Sequence, residues 1–377
     1  MSKVTLLVIF GTRPEAIKLA PIIIKLRERM IFNVKICVTG QHRQMLNQVL
    51  DVFEIQPDID LNLMTENQTL ESLSASMLLK VSDQLSVINP DYVMVHGDTT
   101  TTFIASLASF YRKTPVIHVE AGLRTGSINL PWPEEANRKL TSVLTKYHFA
   151  PTKTARQNLL NEGVANESIM VTGNTVIDAL FYVINQLDET CKLFQTSKIS
   201  KYAAIVSKRF VLITGHRREN FGDGMCDICQ GILNLALRFP DVHFIYAVHL
   251  NPNVAKPVNE ILGDRANIEL VKPLDYVSFI YLMSKCFFII TDSGGIQEEA
   301  MTFKKPMLVT RDVTERQEAV EAGSVILVGT NRKKLENLAS KLFLDSEFYQ
   351  SMQATENPFG DGQASTRIVE YMEKDCI

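Results

Sequence analysis

Several kinds of protein are made improbable by what this 377-residue sequence has little of. Its six cysteines (37, 191, 226, 229, 286 and 376) are scattered along a long chain, which does not suggest a disulfide scaffold. Cys226 and Cys229 form a C-x-x-C, but neither a second ligand pair nor a strand-turn context accompanies them, so they read as helix cysteines one turn apart. The formal net charge is only -3 and there is one tryptophan, a balanced surface that gives no support to nucleic-acid or membrane binding. No apolar run approaches the length that spans a bilayer. The opening run Val4–Phe10 is short and is followed at once by Arg13, Glu15 and Lys18, so it reads as a buried first strand rather than a signal peptide. A cytoplasmic location is expected. No G-x-G-x-x-G follows a strand pattern and the dipeptide Gly-Lys is missing, which argues against a bound NAD and a Walker A loop. Histidines 42, 96, 118, 148, 216, 243 and 249 form neither a metalloprotease pattern nor a metal triad. Neither cofactor nor metal is therefore expected.

What is present is a regular alternation. Short Val/Ile/Phe-rich runs separate longer helical patterns from one end to the other, the signature of parallel sheets covered by helices. The first series of strand candidates is Val4–Phe10, Val34–Thr39, Tyr92–Val95, Val116–Val119, Tyr147–Ala150 and Ser168–Thr172. A polar segment around Gln195–Lys208 separates it from a second series: Phe210–Thr214, His243–Val248, Ile268–Val271, Phe287–Thr291, Pro306–Thr310 and Val325–Val328. Two such series predict an α/β protein of two Rossmann-like domains. The expected boundaries are 1–172 and 173–359, with a last helix within 360–377 packing back on the first domain. A ligand cleft is expected between the two sheets, at the carboxyl ends of the strands.

Polar residues just past buried strands carry the chemistry in such folds. Gly11-Thr12-Arg13-Pro14-Glu15 follows the first strand, and Arg13 and Lys18 can reach an anion near the helix N-terminus. The plain structural reading is a β-α turn with a solvated arginine. His96-Gly97-Asp98-Thr99 follows the third candidate strand. Asp98 suits either a helix cap or general acid-base work, since partial burial raises a carboxyl pKa. His118-Val119-Glu120 repeats the arrangement one strand later, and Glu134 stands where the loop Pro131-Trp132-Pro133 enters a helix. Three carboxylates on one rim are more than structure needs. In the second half, His216 and its neighbours follow one strand. Ser293, Gly294 and Gly295 follow another, leaving backbone N–H groups open at a helix N-terminus. Glu299, in the first turns of that helix, can accept both hydroxyls of a ribose, and Arg311–Arg316 adds cations.

These strings, in this order, closely resemble the non-hydrolysing UDP-N-acetylglucosamine 2-epimerases: GTRPEAIKLAP, GQHRQML, HGDTTTT, HVEAGLRTG, PWPEEANR, TGNTVIDAL, TGHRRENFG, HLNPNV, TDSGGIQEEA, RDVTERQEAV and NPFGDGQAS. The resemblance runs nearly end to end. It implies a fold similar to that of GT-B glycosyltransferases, with UDP held mainly by the C-terminal domain. It maps catalysis onto Asp98, Glu120, Glu134 and His216 without assigning base and acid among the carboxylates; we favour Asp98 as the base. Substrate binding falls on Arg13, Lys18, His216, Ser293, Gly294, Glu299 and Arg316, and Gly295 joins them from its place at the helix end. It also implies a homodimer that acts without cofactor on UDP-N-acetylglucosamine, UDP-N-acetylmannosamine and UDP, for surface polysaccharide precursors such as capsule. Gln41, His42 and Gln44 match a segment that binds an activating second substrate in many bacterial members, although Asn67 stands where regulated relatives carry arginine. The rivals are a hydrolysing sister enzyme, a glycosyltransferase of the same architecture, and a silent UDP-sugar sensor. The intact HGDTTTT and PWPEEANR strings favour the non-hydrolysing enzyme over the first. Three acids on the N-terminal rim favour it over the other two.

Overall fold

The computed structural model describes residues 3–40, 43–64, 68–187, 199, 202–353 and 356–375. Gln41, His42 and Asn67, and the side chain of Gln44, lie outside the described part. The chain divides into two compact units, Met1–Tyr182 with Phe359–Ile377, and Val183–Pro358.

The first unit holds seven strands: β1 (Val4–Phe10), β2 (Phe32–Val38), β3 (Ile59–Asp60), β4 (Tyr92–His96), β5 (Val116–Val119), β6 (Tyr147–Ala150) and β7 (Ile169–Val171). Their order is β3-β2-β1-β4-β5-β6-β7, and every pairing is parallel. Continuous rather than alternating apolar sequence is what a sheet covered on both faces demands, and Leu6–Phe10 are wholly buried. β3 pairs only through Ile59 and Asp60, opposite Cys37 and Val38. Two residues are too few to show as a strand pattern, so the sheet has one strand more than the sequence announces.

In the second unit are β8 (Phe210–Gly215), β9 (His243–Val248), β10 (Ile268–Val271), β11 (Phe288–Thr291), β12 (Met307–Val309) and β13 (Val325–Leu327). They run parallel in the order β10-β9-β8-β11-β12-β13. Its core gathers aromatic rings: Phe343 lies 5.1 Å from Phe288 and 4.6 Å from Phe239, and Arg209 caps Phe287 at 3.6 Å. Cys229 is buried within the helix Asp223–Arg238 while Cys226 on the same helix is exposed, as expected of two ordinary helix cysteines.

Both sheets reverse their strand order beside the first strand, between β1 and β4 and between β8 and β11. Loops at the carboxyl ends of those strands diverge there and leave room for a ligand. The unit divisions fall at 182/183 and 358/359 where pattern reading put them at 172/173 and 359/360. The helix Thr175–Ile184 accounts for the larger difference. Asp178 in its first turn accepts hydrogen bonds from the backbone N–H of Ser365 at 2.8 Å and of Ala364 at 3.2 Å, and from the Ser365 hydroxyl. It thereby caps the last helix, Ala364–Asp375, and joins it to the first unit. Among the described residues no helix is long and apolar enough to cross a membrane.

Asp178→Ala leaves three donors without an acceptor. It is expected to lower stability by about 1–3 kcal/mol in urea unfolding, with faster amide exchange along Ala364–Asp375. Unchanged exchange there would show that the helix is anchored by other contacts.

Candidate active site

In the first unit the rim begins at the helix Arg13–Glu28, which Thr12 precedes and Arg13 opens. Glu15 reaches back to accept the N–H of Gly11 at 3.0 Å and of Thr12 at 2.7 Å. Its other oxygen accepts the hydroxyl of Thr99 at 2.7 Å, so the loops after β1 and β4 are tied together. Burial pushes the Glu15 carboxyl upward against these hydrogen bonds. Thr99, not Asp98, caps the helix Thr100–Tyr111, accepting from the N–H of Thr102 at 3.1 Å. The capping alternative for Asp98 is thereby removed.

Asp98 instead meets an arginine. Arg138 donates to Asp98 Oδ2 from Nε at 2.9 Å and from Nη2 at 2.6 Å, and from Nη1 to the wholly buried Glu135 at 2.8 Å. Asn137 donates to the Asp98 backbone carbonyl at 2.9 Å. Both partners stand on the helix Glu134–Leu144, whose first residue is the third candidate acid. Glu134 Oε2 is buried and, among the described residues, has no hydrogen-bond partner.

Glu120 sits just past β5 with φ 63°, a left-handed conformation that costs a non-glycine residue about 1–2 kcal/mol. That turn aims its side chain at Lys18, with which it forms a buried ion pair, and at Asn174 Nδ2, 2.7 Å away. The sequence places Lys18 near a phosphate; the structure places its ammonium on Glu120. The point where a Cβ on Gly97 would stand is 3.8 Å from Glu120 Oε1, so Glu120 lies against the residue that precedes Asp98. His96 Nε2 lies 3.9 Å from Glu120 Oε2, and among the described residues neither ring nitrogen of His96 has a hydrogen-bond partner. Burial pushes the His96 imidazole down to about 4, against the pull of Glu120, so the ring is neutral at neutral pH. His118, also buried and also pushed down to about 4, keeps its Nε2 on the Gly97 carbonyl at 2.7 Å.

In the second unit, β8 ends at Gly215 and delivers His216, and β11 delivers Asp292, which is wholly buried. Asp292 Oδ2 accepts the backbone N–H groups of His216 and Arg217, each at 2.8 Å. Its Oδ1 lies 3.1 Å from His216 Nδ1. Burial would raise the Asp292 carboxyl, but the contact with His216 and the two N–H groups outweigh it and hold it below the ordinary value. Ser293 precedes the helix Gly294–Thr302 without a side-chain cap bond, and the face of Gly295 is open. A Cβ on Gly294 would stand 3.2 Å from Arg316 Nη1, closer than most real contacts, so glycine there lets the guanidinium lie flat over the helix start. Arg316 is held by Glu298 at 2.8 Å. Glu299 is nearly buried, 3.5 Å from the Tyr276 hydroxyl.

Each unit thus gathers its own sequence-predicted residues: Asp98, Glu120, Glu134, Arg13 and Lys18 in the first, and His216, Ser293, Gly294, Gly295, Glu299 and Arg316 in the second. Pattern reading missed Glu15, Arg138, Asn174, Asp292 and Glu298. Asp292 had a signal, since it ends a buried strand as Asp98 does. Arg138 stands four residues beyond Glu134 on the same helix. Asn174 had none, because only the fold brings it to Glu120.

A rim of fixed carboxylates on one Rossmann-like unit and an anion-ready helix start on another define a nucleotide-sugar enzyme. The chain belongs to the UDP-N-acetylglucosamine 2-epimerase family, whose sequence profile matches residues 24–373. It is 50% identical over 372 residues to the UDP-N-acetylglucosamine 2-epimerase of Campylobacter jejuni, covering 98% of this chain and 97% of that one. The Escherichia coli K12 enzyme of the same name is also 50% identical over 372 residues, covering 98% and 99%. Among solved structures, the Neisseria meningitidis UDP-GlcNAc 2-epimerase bound to UDP-GlcNAc superposes with TM-score 0.92 at 48% identity, covering 98% of this chain and all of that one. The Methanocaldococcus jannaschii enzyme in complex with UDP-GlcNAc and UDP gives 0.81 at 34%, covering 98% and 99%. A glycotransferase of kitacinnamycin shares the fold alone, with TM-score 0.65 at 10% identity.

The cationic cluster of the second unit carries a pH signature. Glu315 Oε2 accepts from Arg311 Nη1 at 2.7 Å and lies 3.9 Å from Arg316 Nη1. Burial alone would raise its carboxyl, but the two arginines pull it from 4.5 down to about 2. A depressed folded value means the stabilisation is complete above the unfolded value of 4.5 and is lost as pH falls through about 2. Glu315→Gln is expected to be less stable than the parent at neutral pH and to converge on it in acid. A stability difference that stayed constant through the acid range would overturn this.

Proposed function

We propose that the protein interconverts UDP-N-acetylglucosamine and UDP-N-acetylmannosamine by eliminating UDP and adding it back. The observation that carries this reading is the pair of fixed carboxylates on one rim, Asp98 in the fork of Arg138 and Glu120 between Lys18 and Asn174. A proton at carbon 2 with no neighbouring carbonyl is a poor acid. Departure of UDP puts oxocarbenium character on carbon 1 and makes that proton easier to remove. Asp98 takes the proton, the C–H electron pair becomes the C1=C2 double bond, and the C1–O pair leaves on the β-phosphate. The products are 2-acetamidoglucal and UDP. In the return step Glu134, acting as a carboxylic acid on the same rim, gives a proton to the opposite face of carbon 2, and UDP oxygen adds to carbon 1. Atoms balance without oxidant or cofactor.

The second unit holds the nucleotide in this reading. The open N–H groups at Ser293–Gly295, with His216 and Arg316, receive the diphosphate, and Glu299 accepts the ribose hydroxyls. The product serves a surface polysaccharide made from cytoplasmic nucleotide sugars.

A homodimer fits the surface of the first unit. Phe110 and Tyr111 on the helix Thr100–Tyr111, and Leu140 and Val143 on the adjoining helix Glu134–Leu144, leave large apolar side chains exposed. Replacing Phe110 and Tyr111 together with lysine is expected to convert the dimer to monomer in sedimentation. A parent that already sediments as a monomer would remove the proposal.

The reaction itself is tested by proton NMR of the purified protein with UDP-N-acetylglucosamine in D₂O. UDP-N-acetylmannosamine is expected to grow to a steady mixture, with deuterium entering at carbon 2. Asp98→Asn should slow this exchange by about 10²- to 10⁴-fold. Accumulation of free N-acetylmannosamine and UDP would move the protein to the hydrolysing reaction, and an unchanged spectrum would remove the epimerase reading.

A further inference from the structure

The most tightly built group in the second unit is Asp292, which the reaction outlined above does not use. It is wholly buried, yet its two oxygens are treated differently. Oδ2 is saturated by the backbone N–H groups of His216 and Arg217 at 2.8 Å each, with the side chain of Asn220 at 3.4 Å. Oδ1 is buried and, among the described residues, has no hydrogen-bond partner apart from His216, whose Nδ1 stands 3.1 Å away. A buried carboxylate oxygen with no partner is costly, and here the group nearest to supplying one is the imidazole. The arrangement is a carboxylate–histidine dyad in which the carboxylate is fixed by backbone and the ring is not, since the His216 side chain is 43% exposed.

We propose that Asp292 is a positioning residue for His216: Oδ1 accepts the Nδ1 proton and fixes the ring so that Nε2 faces the leaving diphosphate. This rests on the reading that His216 serves the diphosphate. Two features support it. The backbone bonds from His216 and Arg217 to Oδ2 fix where His216 starts, so the side chain has only its own rotation left to align Nδ1 with Oδ1. The other ring facing His216 is His249, stacked at 5.8 Å with an interplanar angle of 29°. The His249 Nδ1 accepts the N–H of Asn251 at 3.1 Å, and burial followed by the charge of His216 pushes that ring down, so it opposes no proton on His216. Arg217 is next in the chain, and its guanidinium lies 4.0 Å from Glu315. With Nδ1 committed to the carboxylate, a proton on Nε2 makes the ring a cationic donor to a phosphate oxygen. With an amide in place of the carboxylate, the ring takes the opposite tautomer and stays neutral.

The test is nitrogen-15 NMR of the histidine side chains in the whole enzyme, with and without UDP, together with kinetics of D292N, H216N and the double variant. The expected result is a proton on His216 Nδ1 in the parent and its loss from Nδ1 in D292N, whose amide oxygen still accepts the two backbone N–H groups. D292N should lower kcat on the order of 10²-fold with KM nearly unchanged, and should cost little more in the H216N background. A bare Nδ1 in the parent overturns the proposal without need of any variant, as does an equal loss from D292N in both backgrounds. If UDP leaves the His216 signals unmoved, the placement at the diphosphate fails, and the catalytic consequence with it. A protonated Nδ1 in that same spectrum would still support the pairing, so the two failures are told apart.

Discussion

The first unit's chemistry hangs on one buried ion pair, Lys18 with Glu120. Both side chains are about nine-tenths buried, and a charge so far from water is tolerated only when paired and hydrogen-bonded. Glu120 meets that condition only by taking a left-handed backbone at the end of β5, which turns its side chain toward the helix Arg13–Glu28 and toward Asn174. The strain is offset by the pairing. Removing one partner of such a pair costs more than the pair itself contributes, about 3–5 kcal/mol, because the other charge is left stranded. Asn174 is in turn fixed by its backbone bond to the Phe359 carbonyl at 2.6 Å. The first strand's helix, the fifth strand's end and the returning C-terminal segment are therefore referred to a single carboxylate.

The two units solve one problem with the same device run in opposite directions. Where a parallel sheet reverses its strand order, the flanking loops have no ladder to hold them together. In the first unit a carboxylate in the first turn of the helix after β1, Glu15, receives the Thr99 hydroxyl from the loop after β4. In the second, a carboxylate after β11, Asp292, receives the backbone N–H groups of the loop after β8. Each brace is nearly or wholly buried and spans the switch point, so the polar groups that face outward beside it stand on a rigid base. That suits residues that must meet one substrate at several points.

Much of this was legible in the sequence. Twelve strands announced themselves because strands buried on both faces have to be continuously apolar, and Leu6–Phe10 or Phe288–Thr291 admit few other readings. The thirteenth, Ile59–Asp60, did not, since a two-residue edge has no period to detect. Asp98, Glu120 and His216 were found by their place after strands. Their partners were harder, because pairing is a property of the fold. Nothing local in Asn174 or Lys18 says that both will meet Glu120, which is 54 and 102 residues away in sequence.

Side-chain partners also decide what identical groups do. Asp98, Glu120 and Glu134 are three carboxyls of nearly equal intrinsic acidity, and the sequence treats them alike. Asp98 faces two N–H groups of one guanidinium, Glu120 faces an ammonium and an amide, and Glu134 Oε2 lies buried with no hydrogen-bond partner among the described residues. A proton removed from one face of a sugar and returned to the other needs acceptor and donor to differ at the same pH. Identical environments would supply two acceptors or two donors. In the proposed reaction the asymmetry of their partners, which come from two helices and the turn before a third, lets one rim hold both roles.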